Sequence, residues 1–317
     1  MFRLAKPERG LRGFVLPPRR RHLMGENKDD LRPARSYLYV PGNDARLLAG
    51  ADLRRPDAII ADLEDAVAPA DKVPARRTVS DWLARRTGAQ QWVRVNADSV
   101  SADLDAVVGP NLTGVVVPKA DCRLIKEVAA HLDRLEAQRR LLERSIVLVP
   151  LIESASGLME VGQIARLPRL HRIGVGEVDL AADLGVELDE ERQHLTAIRL
   201  QVVTASAAAG VARPLGSTST AFRDLKLFDR TSRNLRKLGF RGRTAIHPQQ
   251  IPVIHEVFTP SDDDVVRARR LLDLSCQADS GTLVDDEGRF VDAAVLRSAE
   301  EILAVRALAD ATDRSSG

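Results

Sequence analysis

The feature that most constrains this chain is a repeat of short apolar runs, each followed by a longer segment with helical spacing. From residue 37 onward the runs are YLYVPG (37–42), DAIIADLED (57–65), WVRVN (92–96), GVVVPKA (114–120), IVLVPLIES (146–154), RIGVGEVD (172–179), RPLGSTST (213–220) and RTAIHP (243–248). Apolar character that continues through a run without alternation marks a strand buried on both faces of a parallel sheet. The segments between supply covering helices. Asp121 to Glu143 sets Leu124, Val128, Leu132, Leu135 and Leu142 near helical spacing, and Glu190 to Ala209 does the same with Leu195, Ile198, Val202 and Val203. Eight strand-then-helix units predict an α/β fold, a (β/α)8 TIM barrel. A doubly wound open sheet is the competitor, but neither a GxGxxG nor a GxxxxGK loop follows any run.

An apolar share of 44% in 317 residues suffices for one such barrel, and an aromatic share of 3% requires a core of Leu, Val, Ile and Ala. A membrane span is not expected, because no run reaches about 18 apolar residues. Cys122 and Cys276 match no paired-metal spacing and read as reduced thiols of a cytoplasmic chain. The net charge of +2 hides an asymmetry: residues 1–23 hold seven basic residues against Glu8, a surplus of +6, leaving −4 for the rest. The body therefore offers no basic face for nucleic acid. The leader lacks both the serines of a transit peptide and the apolar stretch of a secretory signal.

Beyond the eighth unit, SDDDVVRARRLLDL predicts an acid-capped helix starting near Ser261, and a last helix is expected from Ala293 to Ala309. The organisation expected is a disordered or spurious basic leader (1–34), a barrel (35–258), a C-terminal lid extension (259–310) and a disordered tail (311–317).

In a barrel of this type chemistry collects at the C-terminal ends of the strands. Those ends carry Glu64 and Asp65, Arg94 and Asn96, Lys119, Glu153, Asp179, Ser217 or Thr218, and His247. Glu153 and Asp179 each close an apolar run, where an unpaired carboxylate is costly and a divalent cation would offset the cost. Oxygen donors suit Mg²⁺, and the six histidines form no HxH or HExxH arrangement for zinc. The alternative is that both acids are helix caps or surface groups. Arg94 is placed to clamp a substrate carboxylate, to pair with Glu64 or Asp65, or to do both. Lys119 suits a Schiff base or an anion contact, and His247 a base or a supporting hydrogen bonder. Asp62, the first acid of IIADLEDAVAP, reads as structural.

With these residues in view, the chain strongly resembles the citrate lyase beta-subunit and malyl-CoA lyase group of the HpcH/HpaI aldolase/citrate lyase superfamily. The motifs that carry the resemblance, from about Arg35 to Ala307, are RSYLYVPG, DLEDAVAPADK, VRVN, VVPKA, LIESASG, GEVDLAADLG, GFRGRTAIHPQQI and GRFVDAAVLRSAE. The resemblance implies a (β/α)8 barrel, trimeric or hexameric, that uses Mg²⁺ and interconverts a 3-hydroxyacyl-CoA with acetyl-CoA and a 2-oxo acid. It implies Glu153 and Asp179 as metal ligands, Arg94 as the carboxylate binder, and Glu64 and Asp65 as supporting acids. It implies Asp292 as a lid acid that exchanges a proton with the acetyl carbon, including in a neighbouring subunit's site. Lys72, Arg76 and Arg77 are placed against CoA phosphates, with a solvated helix face as the alternative. The chain departs from the family at GEVD, where GAED is common, and at Gly216, where many relatives carry Asp. The alternatives are action on a carrier-bound thioester as in a citrate lyase beta subunit, a malyl-CoA thioesterase, and a Schiff-base aldolase through Lys119. The acyl group is not named by these motifs.

Overall fold

The computed structural model describes residues 31, 34–277, 284–285 and 287–315, so the expectation for the leader (1–34) falls, except at 31 and 34, outside the described residues. Seven parallel strands form one sheet: β1 (Ser36–Pro41), β2 (Ala58–Asp62), β3 (Gln90–Arg94), β4 (Leu112–Val117), β5 (Val147–Ile152), β6 (Gly174–Val175) and β7 (Arg243–Ala245). Their order, β6-β5-β4-β3-β2-β1-β7, is chain order curled until β7 meets β1.

The eighth expected strand, 213–220, is not formed as such. Residues 215 and 216 instead make single bridges, Leu215 to Gly174 and Gly216 to Arg243, which join the two edges β6 and β7. Pro214 has no N–H to give a ladder, and successive amides part company: Leu215 donates to Ile173 O (2.9 Å) and Gly216 to Gly242 O (2.9 Å). The barrel closes through this seam.

The helices are α1 (Ala45–Gly50), α2 (Lys72–Leu83), α3 (Val100–Val107), α4 (Cys122–Gln138), α5 (Ala155–Ile164), α6 (Glu177–Leu184), α7 (Thr196–Ala209), α8 (Leu225–Leu238), α9 (Gln250–Phe258), α10 (Asp262–Gln277) and α11 (Ala293–Ser315). In α4 the stripe Leu124, Val128, Leu132 and Leu135 is buried as its spacing predicts, whereas Leu142 lies past the helix end and is exposed. Ser261 and Asp264 cap α10 reciprocally: Asp264 N–H donates to Ser261 Oγ (3.1 Å), and Ser261 N–H to Asp264 Oδ2 (3.1 Å). Among the described residues no helix is long and apolar enough to cross a membrane.

The strand period of two sorts the side chains. Leu38, Val40, Ile59, Ala61, Val93, Val115, Leu148 and Ile152 join the helix-facing core. The alternate positions fill the barrel. Tyr37 meets Trp92 edge-on (5.6 Å between centroids), and one layer up Arg94 lies over the Tyr39 ring (5.0 Å). Gly114 makes room for Trp92, since a Cβ there would stand 2.3 Å from the indole. At the barrel floor Arg35 grips Asp57 with Nε and Nη2 (2.9 and 3.0 Å).

Candidate active site

Above the aromatic layer the interior turns polar. A cavity of about 420 Å³ opens at the C-terminal ends of the strands, lined among others by Tyr39, Asp62, Asp65, Arg94, Glu153, Glu177, Asp179 and Arg192.

Register builds its first wall. The β2–β3 pairing sets Asp62 beside Arg94, two residues above Ile60 and Trp92 on the same face. Arg94 Nε and Nη2 donate to the two carboxylate oxygens of Asp62 (2.7 and 2.6 Å), a bidentate pair. Arg94 Nη1 reaches Glu64 Oε2 at 2.9 Å and Asp65 Oδ2 at 3.2 Å. The pairing expected with Glu64 or Asp65 is made with both, but Asp62 dominates it. Asp62 also accepts the amides of Glu64 (2.9 Å) and Ala66 (3.2 Å), so one carboxylate orders both the loop and the arginine.

Glu153 follows β5 and is 6% exposed. Its Oε2 accepts the Lys119 backbone N–H (2.8 Å), presented by a left-handed turn with Lys119 φ at 49°. Burial pushes the Glu153 carboxyl up to about 7; Asp179 and Asp65 push the same way, while the Lys119 amide and Arg94 oppose. Glu64 is likewise raised to about 7, first by burial, against the pull of Arg94. Asp179 sits exposed in the first turn of α6 and faces the same cavity. Gly176 lets α6 approach, because a Cβ there would fall 2.4 Å from Glu153 Cγ.

This donor set fits a hard divalent cation. A buried carboxylate held up near neutrality, with a second carboxylate across the cavity, is a site short of positive charge. Among the described residues no third His, Cys, Asp or Glu completes a protein cage, which leaves positions for water and ligand oxygens.

Other expected residues are placed elsewhere. Lys72 Nζ donates to Leu63 O (2.7 Å) and Asn96 Oδ1 (2.7 Å), and Arg76 binds Asp103 Oδ1 (2.7 Å) and Ser99 Oγ (3.0 Å). Both are engaged within the chain, tying the β2 and β3 loops to α2 and α3, and neither lines the cavity. The Lys119 ammonium is 63% exposed, 3.8 Å from Glu64, without the apolar enclosure a Schiff-base lysine requires. His247 stacks on Phe222 (5.5 Å) and accepts the Gln249 amide at Nδ1 (3.3 Å), outside the cavity lining. In the single chain Asp292 is exposed and caps α11, accepting the amides of Ala294 (2.9 Å) and Val295 (3.0 Å). Those amides hold its carboxyl below the usual range, the opposite of the raised value an apolar lid would give.

The displaced acid of GEVD, Glu177, is not a free cavity carboxylate. Burial disfavours its charge, but Arg199 (2.7 and 3.0 Å) and Arg192 (2.9 Å) outweigh that and hold its pKa low. Gly216 contributes backbone only: a Cβ would point outward, 2.8 Å from the Leu235 side chain.

A cation-ready pair of carboxylates, a clamped arginine and an exit at the strand ends narrow the chemistry to a few barrel families, and comparison with known proteins decides among them. Residues 35–248 match the model of the HpcH/HpaI aldolase/citrate lyase family. The chain belongs to that family. That family is a lyase superfamily with citrate lyase subunits and malyl-CoA lyases among the relatives of this chain, and this protein is an enzyme of it. It is 34% identical over 282 residues to a citrate lyase subunit beta-like protein of Deinococcus radiodurans, covering 85% of this chain and 96% of the relative. It is 32% identical over 280 residues to a (3S)-malyl-CoA thioesterase of Cereibacter sphaeroides, covering 86% and 94%. Among solved structures, CitE of Mycobacterium tuberculosis in complex with magnesium, acetoacetate and coenzyme A superposes with a TM-score of 0.71 at 29% identity, covering 87% of this chain and all of that one.

Proposed function

We propose that this protein is a Mg²⁺-dependent CoA-ester lyase that cleaves a 3-hydroxyacyl-CoA into acetyl-CoA and a 2-oxo acid, or runs the reverse condensation. The observation that carries the reading is Glu153, buried at the mouth of β5 with its carboxyl raised to about 7 and facing Asp179 across one cavity. Glu153 and Asp179 would hold the cation, which supplies Lewis-acid polarisation of the hydroxy-acid end. Arg94, fixed by Asp62, keeps its charge aimed at the same region and favours a carboxylate there. Glu64 holds or releases a proton near neutrality beside that guanidinium, so it adjusts the charge of the wall. The proton exchanged with the acetyl carbon is assigned to Asp292 of a neighbouring copy in a trimer or hexamer, since in its own chain this acid only caps α11.

The test is a panel of citryl-, malyl-, methylmalyl- and citramalyl-CoA with and without Mg²⁺, with products identified by mass spectrometry. Metal-dependent release of acetyl-CoA, or its acyl homologue, with a 2-oxo acid is expected; no turnover of any ester overturns the reading. Similarity to a malyl-CoA thioesterase supports a second outcome, free CoA and hydroxy acid without a 2-oxo acid. Activity restored only by a carrier-bound thioester would give the protein the role of a subunit.

A further inference from the structure

The cavity has a second wall of opposite charge. The segment after α6 brings in Arg192, whose Nη1 donates to Glu177 Oε2 (2.9 Å), Ser217 Oγ (3.3 Å) and Thr218 O (3.2 Å). Arg199 binds both oxygens of the same Glu177. Arg243, 3% exposed, lies behind Ser217 and gives Nε to Ser217 O (2.9 Å) and Nη1 to Thr231 Oγ1 (2.9 Å) and Ser232 Oγ (2.7 Å). Among the described residues Glu177 is the one acid that pairs with Arg192 and Arg199, and Arg243 is bonded to hydroxyl and carbonyl oxygens. Burial lowers Arg243 to about 9; Glu177 opposes the fall, and Arg192 and Arg199 add to it.

The two arginines that line the cavity differ in what they have left to give. Arg94 has Nε, Nη1 and Nη2 all on acids. Arg192 has only Nη1 engaged, and its Nε and Nη2 have no partner among the described residues. A surplus of partly buried guanidinium with open donors is a carboxylate receptor. The cation-ready acids Glu153 and Asp179 line the same cavity.

We propose that Arg192 is a specificity residue that binds a second carboxylate of the substrate, so that the 2-oxo acid half is dicarboxylic. The assignment rests on the lyase reading above. The metal-side wall takes the 2-oxo carboxylate; a second carboxylate on the same small acid reaches Arg192, with the Ser217 hydroxyl beside it. A monocarboxylic 2-oxo acid leaves the arginine unmatched, and a site built to bind a polar group rejects the analogue that lacks it.

The test is calorimetric binding of oxaloacetate, pyruvate and glyoxylate to the full chain at fixed Mg²⁺, for wild type, R192Q and R192K, with thermal unfolding as the control for fold. The wild type is expected to bind oxaloacetate at least about tenfold tighter than pyruvate. R192Q should lose about 10²-fold for oxaloacetate and stay within about threefold for pyruvate and glyoxylate, with R192K recovering part of the loss. Equal affinities in the wild type, or an equal loss of all three acids in a folded R192Q, would overturn the proposal and leave Arg192 as a brace for Glu177. Binding needs no bond cleavage. Selective binding without turnover of any thioester would therefore refute the lyase reading and leave the receptor standing, and turnover without selectivity would do the reverse.

Discussion

The two ends of the barrel are built from the same ingredients, an arginine against buried acids, and they come out with opposite balances. At the floor Arg35 grips Asp57, and His255 adds its ring nitrogen 3.3 Å from the same carboxylate. Burial alone would raise Asp57, but His255 and Arg35 outweigh it and hold the carboxyl far below the usual range. At the mouth Arg94 meets Asp62, Glu64 and Asp65, with Glu153 behind, and burial wins: Glu64 and Glu153 are both raised to about 7. A matched pair locks; a mismatched set waits for a ligand. This is the division between stability below and chemistry above that barrels of this class show.

Three experiments break or sharpen that contrast. The largest effect is expected at the mouth. E153Q should reduce CoA-ester cleavage about 10³-fold, the equivalent of several kcal/mol of Lewis-acid stabilisation. Its unfolding temperature should hold or rise, because a poorly compensated buried charge is removed; a marked fall would show Glu153 to be structural. At the floor D57A should do the reverse. Leaving Arg35 buried without its partner should cost about 3–5 kcal/mol of stability, read by denaturant unfolding, with kcat per folded molecule unchanged. A loss of kcat without a loss of stability would erase the distinction.

The smallest effect is in pH. Glu153 and Glu64 rise from 4.5 to about 7 on folding, so between those values the folded state takes up protons that the unfolded state does not. Metal-free protein should therefore gain a few degrees in Tm, roughly 2–5 °C, as pH falls from 8 to 5. Asp57 runs the other way: its depressed pKa stabilises above the unfolded value and is lost as pH falls below about 4. Scanning calorimetry across pH 3–8 should show a maximum between the two. Saturating divalent cation should flatten the upper limb, and a limb insensitive to cation would separate the raised carboxyls from metal binding.

Much of this was legible in the sequence because parallel strands announce themselves. Continuous apolar runs ended by a polar residue at Glu64, Arg94 and Glu153 give both the barrel and the rim, since the first polar residue marks where the strand leaves the core. Asp62 was missed as the arginine's partner because its role depends on the register that aligns it with Arg94, a relation between strands. The sequence pattern also promised a strand at 213–220, where Pro214 and divided amide bonding leave only bridges. Lys72 and Arg76 share a helix face, but nothing local says that the face meets Asn96 and Asp103 instead of solvent. Arg192 lies near the start of the Glu190 to Ala209 segment read from its helical spacing alone, and only the tertiary fold turns it toward the cavity.

The bridged seam has a consequence for motion. Strand pairs such as β1–β2 are held over five residue pairs, whereas β6 and β7 are joined through one bridge on each side of residues 215 and 216. Opening energy follows local bonding, so this hinge line is where the staves part first. Amides of 215, 216 and 244 should exchange with deuterium sooner than those of β2 and β3. The arginine wall leans on that line through Ser217 and Thr218. A guest seated there would act as a rivet, slowing exchange along the whole seam while leaving the floor untouched.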